Sequence, residues 1–179
     1  STTCVWRRAS LGCRSIITAN LCVVYVITKQ NRNADQLINR LTEEEAQKMK
    51  DDENAKCYHL SIIHLVVGTL YCAHKNFDFG IDYVLRAFNP MHQKLSADTW
   101  LYAKKCLFEL ISSIAFRQYV LPDETYAKLI SFLDEVAQQG KNIESINDLT
   151  LAAEEAAEHP TVATEARNIK ATLIRMTEF

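Results

Sequence analysis

Two glycines set inside apolar helical runs constrain this chain more than any other feature. Gly68 stands in His64-x-x-Val67-Gly68-x-x-Tyr71, and Gly80 stands between Phe77 and the series Val84, Ala87, Pro90. Glycine inside a helix costs about 1 kcal/mol relative to alanine. Two of them at corresponding places in consecutive helices therefore imply a crossing where the backbones approach with no β-carbon between them. Tyr71 and Phe77 would fill the wedge between the helices, while Val84 and Ala87 cover the second helix's inner face. Asn76-Phe77-Asp78 supplies turn chemistry and an acidic first turn. Asn89-Pro90 stops the second helix, because proline lacks the amide hydrogen and disfavours helical geometry in the residue before it.

This order of large, small and aromatic positions is that of the tetratricopeptide template, a helix-turn-helix unit. One such unit cannot bury both faces alone, so it implies neighbours on either side. A weaker copy runs from 16 to 41. Leu21-Cys22-x-x-Tyr25 matches the core with a small cysteine in place of glycine, Asn31-Arg32-Asn33 is the expected turn, and Ala34, Ile38 and Leu41 follow. Cys22 and Gly68 are further apart than the about 34 residues of a standard repeat. The excess is the charged stretch Thr42–Lys56. Thr42-x-x-Glu45 there fits a capping box, but a solvated helix end or linker is the plainer reading.

After the hairpin at 58–89, Ser96 caps a helix carrying Trp100, Ala103, Leu107, Ile111 and Ile114. Pro122 opens another helix, with Leu129, Leu133 and Val136, that stops at Gly140. These two form a third hairpin at about 97–138 that the template does not fit cleanly. Lys141–Asp148 reads as a loop, Leu149–Glu158 as a short helix, and 162–177 as a closing helix with Val162, Ala166, Ile169 and Leu173 on one stripe. The expected fold is all-α: tetratricopeptide-like hairpins stacked in a right-handed solenoid with a C-terminal closing helix. Residues 1–14 have no period and stay unassigned; 15–179 form the solenoid fragment.

Composition agrees, with only four glycines and three prolines among 179 residues. A net charge of −2 with no basic stripe speaks against nucleic acid as a partner. The longest apolar stretches fall short of the ~20 residues a bilayer needs, so no membrane insertion is expected. The six cysteines form no C-x-x-C pair, which predicts free thiols in a reducing compartment. Ser1 is not an initiator methionine, so a fragment or processed product is expected.

Candidate chemistry is thin. Asp78-Phe79-Gly80 spells the magnesium-binding tripeptide of kinases, but no accompanying kinase motif is present and Gly80 is explained by packing. Cys57-x-His59 and Cys72-x-His74 have the wrong helical spacing to grip one ion, and His64 occupies the template's large core position. No cysteine has an apparent base and orienting acid, and no G-x-S-x-G occurs. The expectation is a binding protein with no enzymatic activity, no metal and no cofactor.

The template's inner-surface positions are Ile16, Ala19, Val23 and Val26 in the first repeat and Ile62, Leu65, Thr69 and Cys72 in the second. All are apolar or nearly so, which predicts a groove for an apolar partner segment. The repeat-packing positions are Cys22, Tyr25, Ala34, Gly68, Tyr71, Phe77, Gly80, Val84 and Ala87. A stand-alone adaptor or co-chaperone module that grips acidic peptide tails is the alternative, but it would need lysine, arginine and asparagine at those inner positions.

Ala19-Asn-Leu-Cys-Val-Val-Tyr25, Val67-Gly-Thr-Leu-Tyr-Cys-Ala73, Asn76-Phe-Asp-Phe-Gly-Ile81 and Asp98-Thr-Trp-Leu-Tyr-Ala-Lys-Lys-Cys106 closely resemble the intraflagellar transport protein 70 family, also called tetratricopeptide repeat protein 30 or fleer. The resemblance runs from about Ser15 to the end, and Glu165-Ala-Arg-Asn-Ile-Lys-Ala171 is similar to that family's C-terminal helix. It implies the C-terminal repeats of a non-enzymatic subunit of intraflagellar transport complex B, in the cilium or flagellum and cytoplasm. It also implies a solenoid wound around a segment of intraflagellar transport protein 52, with links to kinesin-2 motors and tubulin polyglutamylation.

Overall fold

A computed structural model of the chain describes residues 17, 18, 20–51, 59–146 and 160–177. The described parts are helical throughout, apart from turns and one isolated antiparallel bridge between Glu144 and Thr161. The expected short helix at Leu149–Glu158 and the unassigned residues 1–14 lie outside the described residues.

Helix α1 (20–27) leads into α2 (Asn31–Asp51). The turn between them is Thr28–Gln30, so Asn31-Arg32-Asn33 is the first turn of α2 and not the connection expected from its asparagines. Nor does Thr42 cap a new helix. Its hydroxyl donates to the Ile38 carbonyl at 2.9 Å inside α2, which continues without a break through the charged stretch. Apolar periodicity ends at Leu41, but glutamate, alanine, glutamine, lysine and methionine are all strong helix formers.

Helices α3 (His59–Ala73) and α4 (Phe77–Ala87) form the tightest pair. A β-carbon added at Gly68 would stand 2.9 Å from the Gly80 carbonyl oxygen and 2.9 Å from Val84 Cγ2. One added at Gly80 would stand 2.6 Å from Cys72 Sγ and 2.9 Å from the Cys72 nitrogen. The helices thus cross glycine on glycine, at a separation that any side chain would force open.

A short α5 (Met91–Lys94), not marked by any sequence period, follows Pro90 and buries Met91. Then α6 (Ala97–Ala115) starts at a complete capping box, in which Ser96 Oγ accepts from the Thr99 amide and Thr99 Oγ1 accepts from the Ser96 amide. α7 (Asp123–Gln139) passes through one 3₁₀ turn, Gly140–Asn142, toward α8 (Val162–Thr177). Gly140 has φ −87°, so it is not there for a left-handed turn. A β-carbon at that position would lie 2.8 Å from Val162 Cγ1, and the glycine lets α8 close onto the end of α7.

The three hairpins share a turn the sequence did not advertise. Lys29, Lys75 and Arg117 each take a positive φ of 59°, 62° and 56° just past the first helix of a pair. At each, that residue's amide donates to the carbonyl three back (Val26, Cys72, Ile114) and the next amide donates to the carbonyl five back (Tyr25, Tyr71, Ser113). This is the Schellman arrangement, which satisfies the helix's last carbonyls, with a cation placed at the negative end of the helix. The connection from α6 to α7, whose residues fit the template poorly, therefore turns as the first two do, although α7 lies closer to α8 than to α6.

Two cores result. Cys22, Val26, Ala34 and Ile38 pack with Ile63, Val67, Tyr71 and Tyr83 between the first pair and α3. The larger core runs from α3 to α8 around Phe77, Phe88, Trp100, Leu107 and Leu133.

Candidate functional site

The N-terminal turn of α6 lies beside α3 and α1, and the three helices enclose a groove of about 490 Å³. Val23 comes from α1, and Ile62, Leu65, Val66, Thr69 and Leu70 from α3. Thr99 and Tyr102 form the wall contributed by α6. The two threonine hydroxyls in these walls are turned to nearby backbone. Thr69 Oγ1 donates to the Leu65 carbonyl at 2.7 Å, and Thr99 Oγ1 to the Lys94 carbonyl at 2.9 Å. A side-chain hydroxyl spent this way offers little to a ligand. Ile62 and Tyr102 stay half exposed at 55% and 50%, and among the described residues Asp98 is the one charged side chain at the rim.

Of the inner-surface positions expected from the template, Val23, Ile62, Leu65 and Thr69 come together here. Ile16 and Ala19 lie outside the described residues. Val26 and Cys72 are buried in the two cores, at 5% and 1% exposure, and do not line the groove. Their helical register explains this: Val26 shares a stripe with Cys22, and Cys72 sits one turn beyond Gly68 in the glycine crossing. Cys72 touches Gly80, and a hydrogen bond with Cys106 together with burial pushes its thiol up. Cys106 donates to Thr69 Oγ1 at 3.6 Å beneath the groove floor.

The packing positions Cys22, Ala34, Gly68, Tyr71, Phe77, Gly80, Val84 and Ala87 are all buried, and Tyr25 is half-buried against the smaller core. Val66, Leu70, Thr99 and Tyr102 were not among the expected groove residues. Val66 and Leu70 could have been found from the helical stripe they share with Ile62. The α6 residues could not, because nothing local in the sequence says which face of α6 meets α3.

Other candidates have structural roles. His64 is 7% exposed with its ring 5.7 Å from that of Tyr83; burial, reinforced by Arg86, lowers its pKa from 6.5 to about 4. Tyr83 in turn donates to Asp35 Oδ1 at 2.6 Å, joining α4 to α2. Asp78 of the kinase-like tripeptide accepts from the Tyr119 hydroxyl at 2.6 Å, across to the third pair. Cys22 is buried, which pushes its thiol up to about 11 and leaves it a poor nucleophile. Among the described residues no group of three His, Cys, Asp or Glu is placed to hold a metal ion. No helix there is long and apolar enough to cross a membrane.

One polar cluster was not anticipated. Lys104, 7% exposed, donates to Glu165 Oε1 at 3.0 Å, to Ser145 Oγ at 3.3 Å and to the Ile146 carbonyl at 3.1 Å. The other oxygen of Glu165 accepts from Trp100 Nε1 at 2.7 Å and from Ser145 Oγ. Every member is satisfied, as a buried charge requires. The cluster fastens α8 to α6, so the closing helix is held by charge as well as by apolar contact.

Helical pairs with a common Schellman turn, one of them crossing glycine on glycine, and a final closing helix define a helical hairpin-repeat protein. A profile of the intraflagellar transport protein 70 C-terminal domain matches residues 7–179. The chain is 40% identical over 164 residues to human intraflagellar transport protein 70B, covering 90% of the chain and 24% of that protein. It is 40% identical over 170 residues to intraflagellar transport protein 70A of Danio rerio (93% and 26%), and 38% over 168 residues to that of Bos taurus (92% and 25%). The chain belongs to the intraflagellar transport protein 70 family. It spans about a quarter of the length of the curated relatives it matches. The match begins at residue 7, earlier than the Ser15 at which the quoted strings begin to resemble the family.

Proposed function

We propose that this chain acts as a non-enzymatic scaffold in intraflagellar transport complex B, in the cilium and cytoplasm, by holding a partner segment in the groove between α1, α3 and α6. The observation that carries the reading is a largely apolar groove whose two threonine hydroxyls are already spent on backbone carbonyls. Such a surface gains about 25 cal/mol per Å² of apolar area removed from water, and it selects for aliphatic side chains over charge. The occupant that fits is an extended, apolar, proline-containing segment of intraflagellar transport protein 52. Kinesin-2 and the tubulin polyglutamylation machinery are more distant partners of the same assembly. The adaptor alternative fares worse, because Asp98 stands at the rim where a carboxylate-gripping module would need a cation.

The test is a pull-down of intraflagellar transport protein 52 with Ile62→Asp and Glu43→Lys. Leu65 belongs to the core as well as the groove, whereas Ile62 is half exposed, so its replacement separates binding from folding. Ile62→Asp is expected to abolish capture and Glu43→Lys to leave it unchanged at low and high salt. Capture that survives Ile62→Asp, or that is lost with Glu43→Lys, would refute the groove assignment.

A further inference from the structure

Helix α8 carries its charges unequally. Between Val162 and Thr177 it has Arg167, Lys170 and Arg175 against one acid, Glu165. That acid is turned inward and consumed by Lys104, Trp100 and Ser145. The outward face of the helix is therefore basic, on a chain whose net charge is −2. Where this face meets α7 there is a valley of about 520 Å³, floored by Ala137, Ala171 and Ile174. Lys170 is held at its edge by both carboxylate oxygens of Asp134, at 2.5 and 2.7 Å. Arg167 and Lys141 flank the same valley, exposed, and have no acidic partner among the described residues.

We propose that this valley, separate from the groove above, docks an acidic segment of a partner polypeptide with an aliphatic residue between its carboxylates. Charge complementarity selects the occupant. The planar guanidinium of Arg167 matches a carboxylate with two parallel hydrogen bonds, and the Lys141 ammonium supplies a second point of attraction. The alanines on both helices leave room on the floor for an aliphatic side chain to come out of water. A bilayer surface is planar and cannot enter a valley between two helices. A single-stranded nucleic acid also needs a surface on which its bases can stack, and no aromatic residue stands among the described lining side chains.

The experiment titrates the full chain into a fluorescein-labelled peptide, acetyl-Asp-Leu-Glu-Asp-Leu-Glu-amide, and reads anisotropy at about 50 mM and about 300 mM salt. Its counterpart with asparagine and glutamine in place of the acids, and phosphatidylserine vesicles, serve as competing probes. The acidic peptide is expected to bind, to weaken several-fold in the higher salt, and to lose at least about tenfold in affinity with Arg167→Glu combined with Lys141→Glu. Arg40→Glu, on exposed α2, should leave it unchanged, and so should Ile62→Asp, which separates this inference from the groove reading. Circular dichroism confirms that the double variant is folded. Equal binding of the amide peptide, an equal loss with Arg40→Glu, no loss with the double variant, or binding to vesicles alone would each overturn the proposal.

Discussion

His64 is where pH should reach into this fold. Its ring is buried against Tyr83, and both burial and the nearby Arg86 charge hold its pKa at about 4, with Asp82 opposing more weakly. Unfolding returns the imidazole to its ordinary value of about 6.5. Above that pH both states are neutral and the group contributes nothing to the pH dependence. Between 6.5 and 4 the unfolded chain takes up the proton and the folded chain does not, so stability falls as pH drops. Below 4 both states are protonated and the loss levels off. Linkage puts the loss at about 2 kcal/mol at pH 5 and about 3 kcal/mol at the plateau. Urea unfolding at pH 7 and pH 5 measures it, with His64→Gln as the control because glutamine has a similar volume and does not titrate. The difference between the two pH values should be about 2 kcal/mol larger for the parent chain. If His64→Gln loses as much stability as the parent between those pH values, the imidazole is not held neutral by the core and the reasoning fails.

Gly80→Ala should lower stability by about 1–3 kcal/mol in thermal melting, because its β-carbon meets the Cys72 backbone at 2.9 Å, whereas Arg40→Ala on exposed α2 should change little. Arg117→Gly should raise stability by about 1 kcal/mol, since glycine removes the cost of a side chain at φ 56°. Glu165→Ala leaves the Lys104 ammonium buried without its partner and should cost about 3–5 kcal/mol in denaturant melts. Glu165→Gln should cost less, because it keeps an acceptor for the Trp100 indole.

What could be read from the residues was whatever helical geometry makes local. Gly68, Gly80, Tyr71 and Phe77 announce a close crossing because their spacing alone puts them on facing stripes. Ser96 announces a helix start through a hydroxyl that needs only its own next turn. The Schellman turns at Lys29, Lys75 and Arg117 were hidden for the opposite reason. Glycine is the usual sign of a left-handed residue, and here long cations accept the strain while their backbone amides satisfy the helix's last carbonyls. The length of α2 was legible in part: the charged stretch fits a solvated helix end, and past Leu41, where the apolar period stops, intrinsic propensity alone carries the helix on. The α6 wall of the groove is a tertiary fact, and no local pattern encodes which face of one helix another will choose.

The buried cluster shows what two of the resemblance strings are for. Asp98-Thr-Trp-Leu-Tyr-Ala-Lys-Lys-Cys106 and Glu165-Ala-Arg-Asn-Ile-Lys-Ala171 lie far apart in the chain, yet Trp100 and Lys104 from the first meet Glu165 from the second. Trp100 lies between Thr99 and Tyr102, which face the groove, so one turn of α6 has its indole side pinned by α8 while its other side forms a groove wall. A helix is stiff over a single turn, and its two faces cannot move independently. The position of Tyr102 relative to Ile62 is therefore set in part by how α8 docks. The closing helix is more than a lid on the apolar end of the repeats, because the charge that holds it also fixes the turn that shapes the groove.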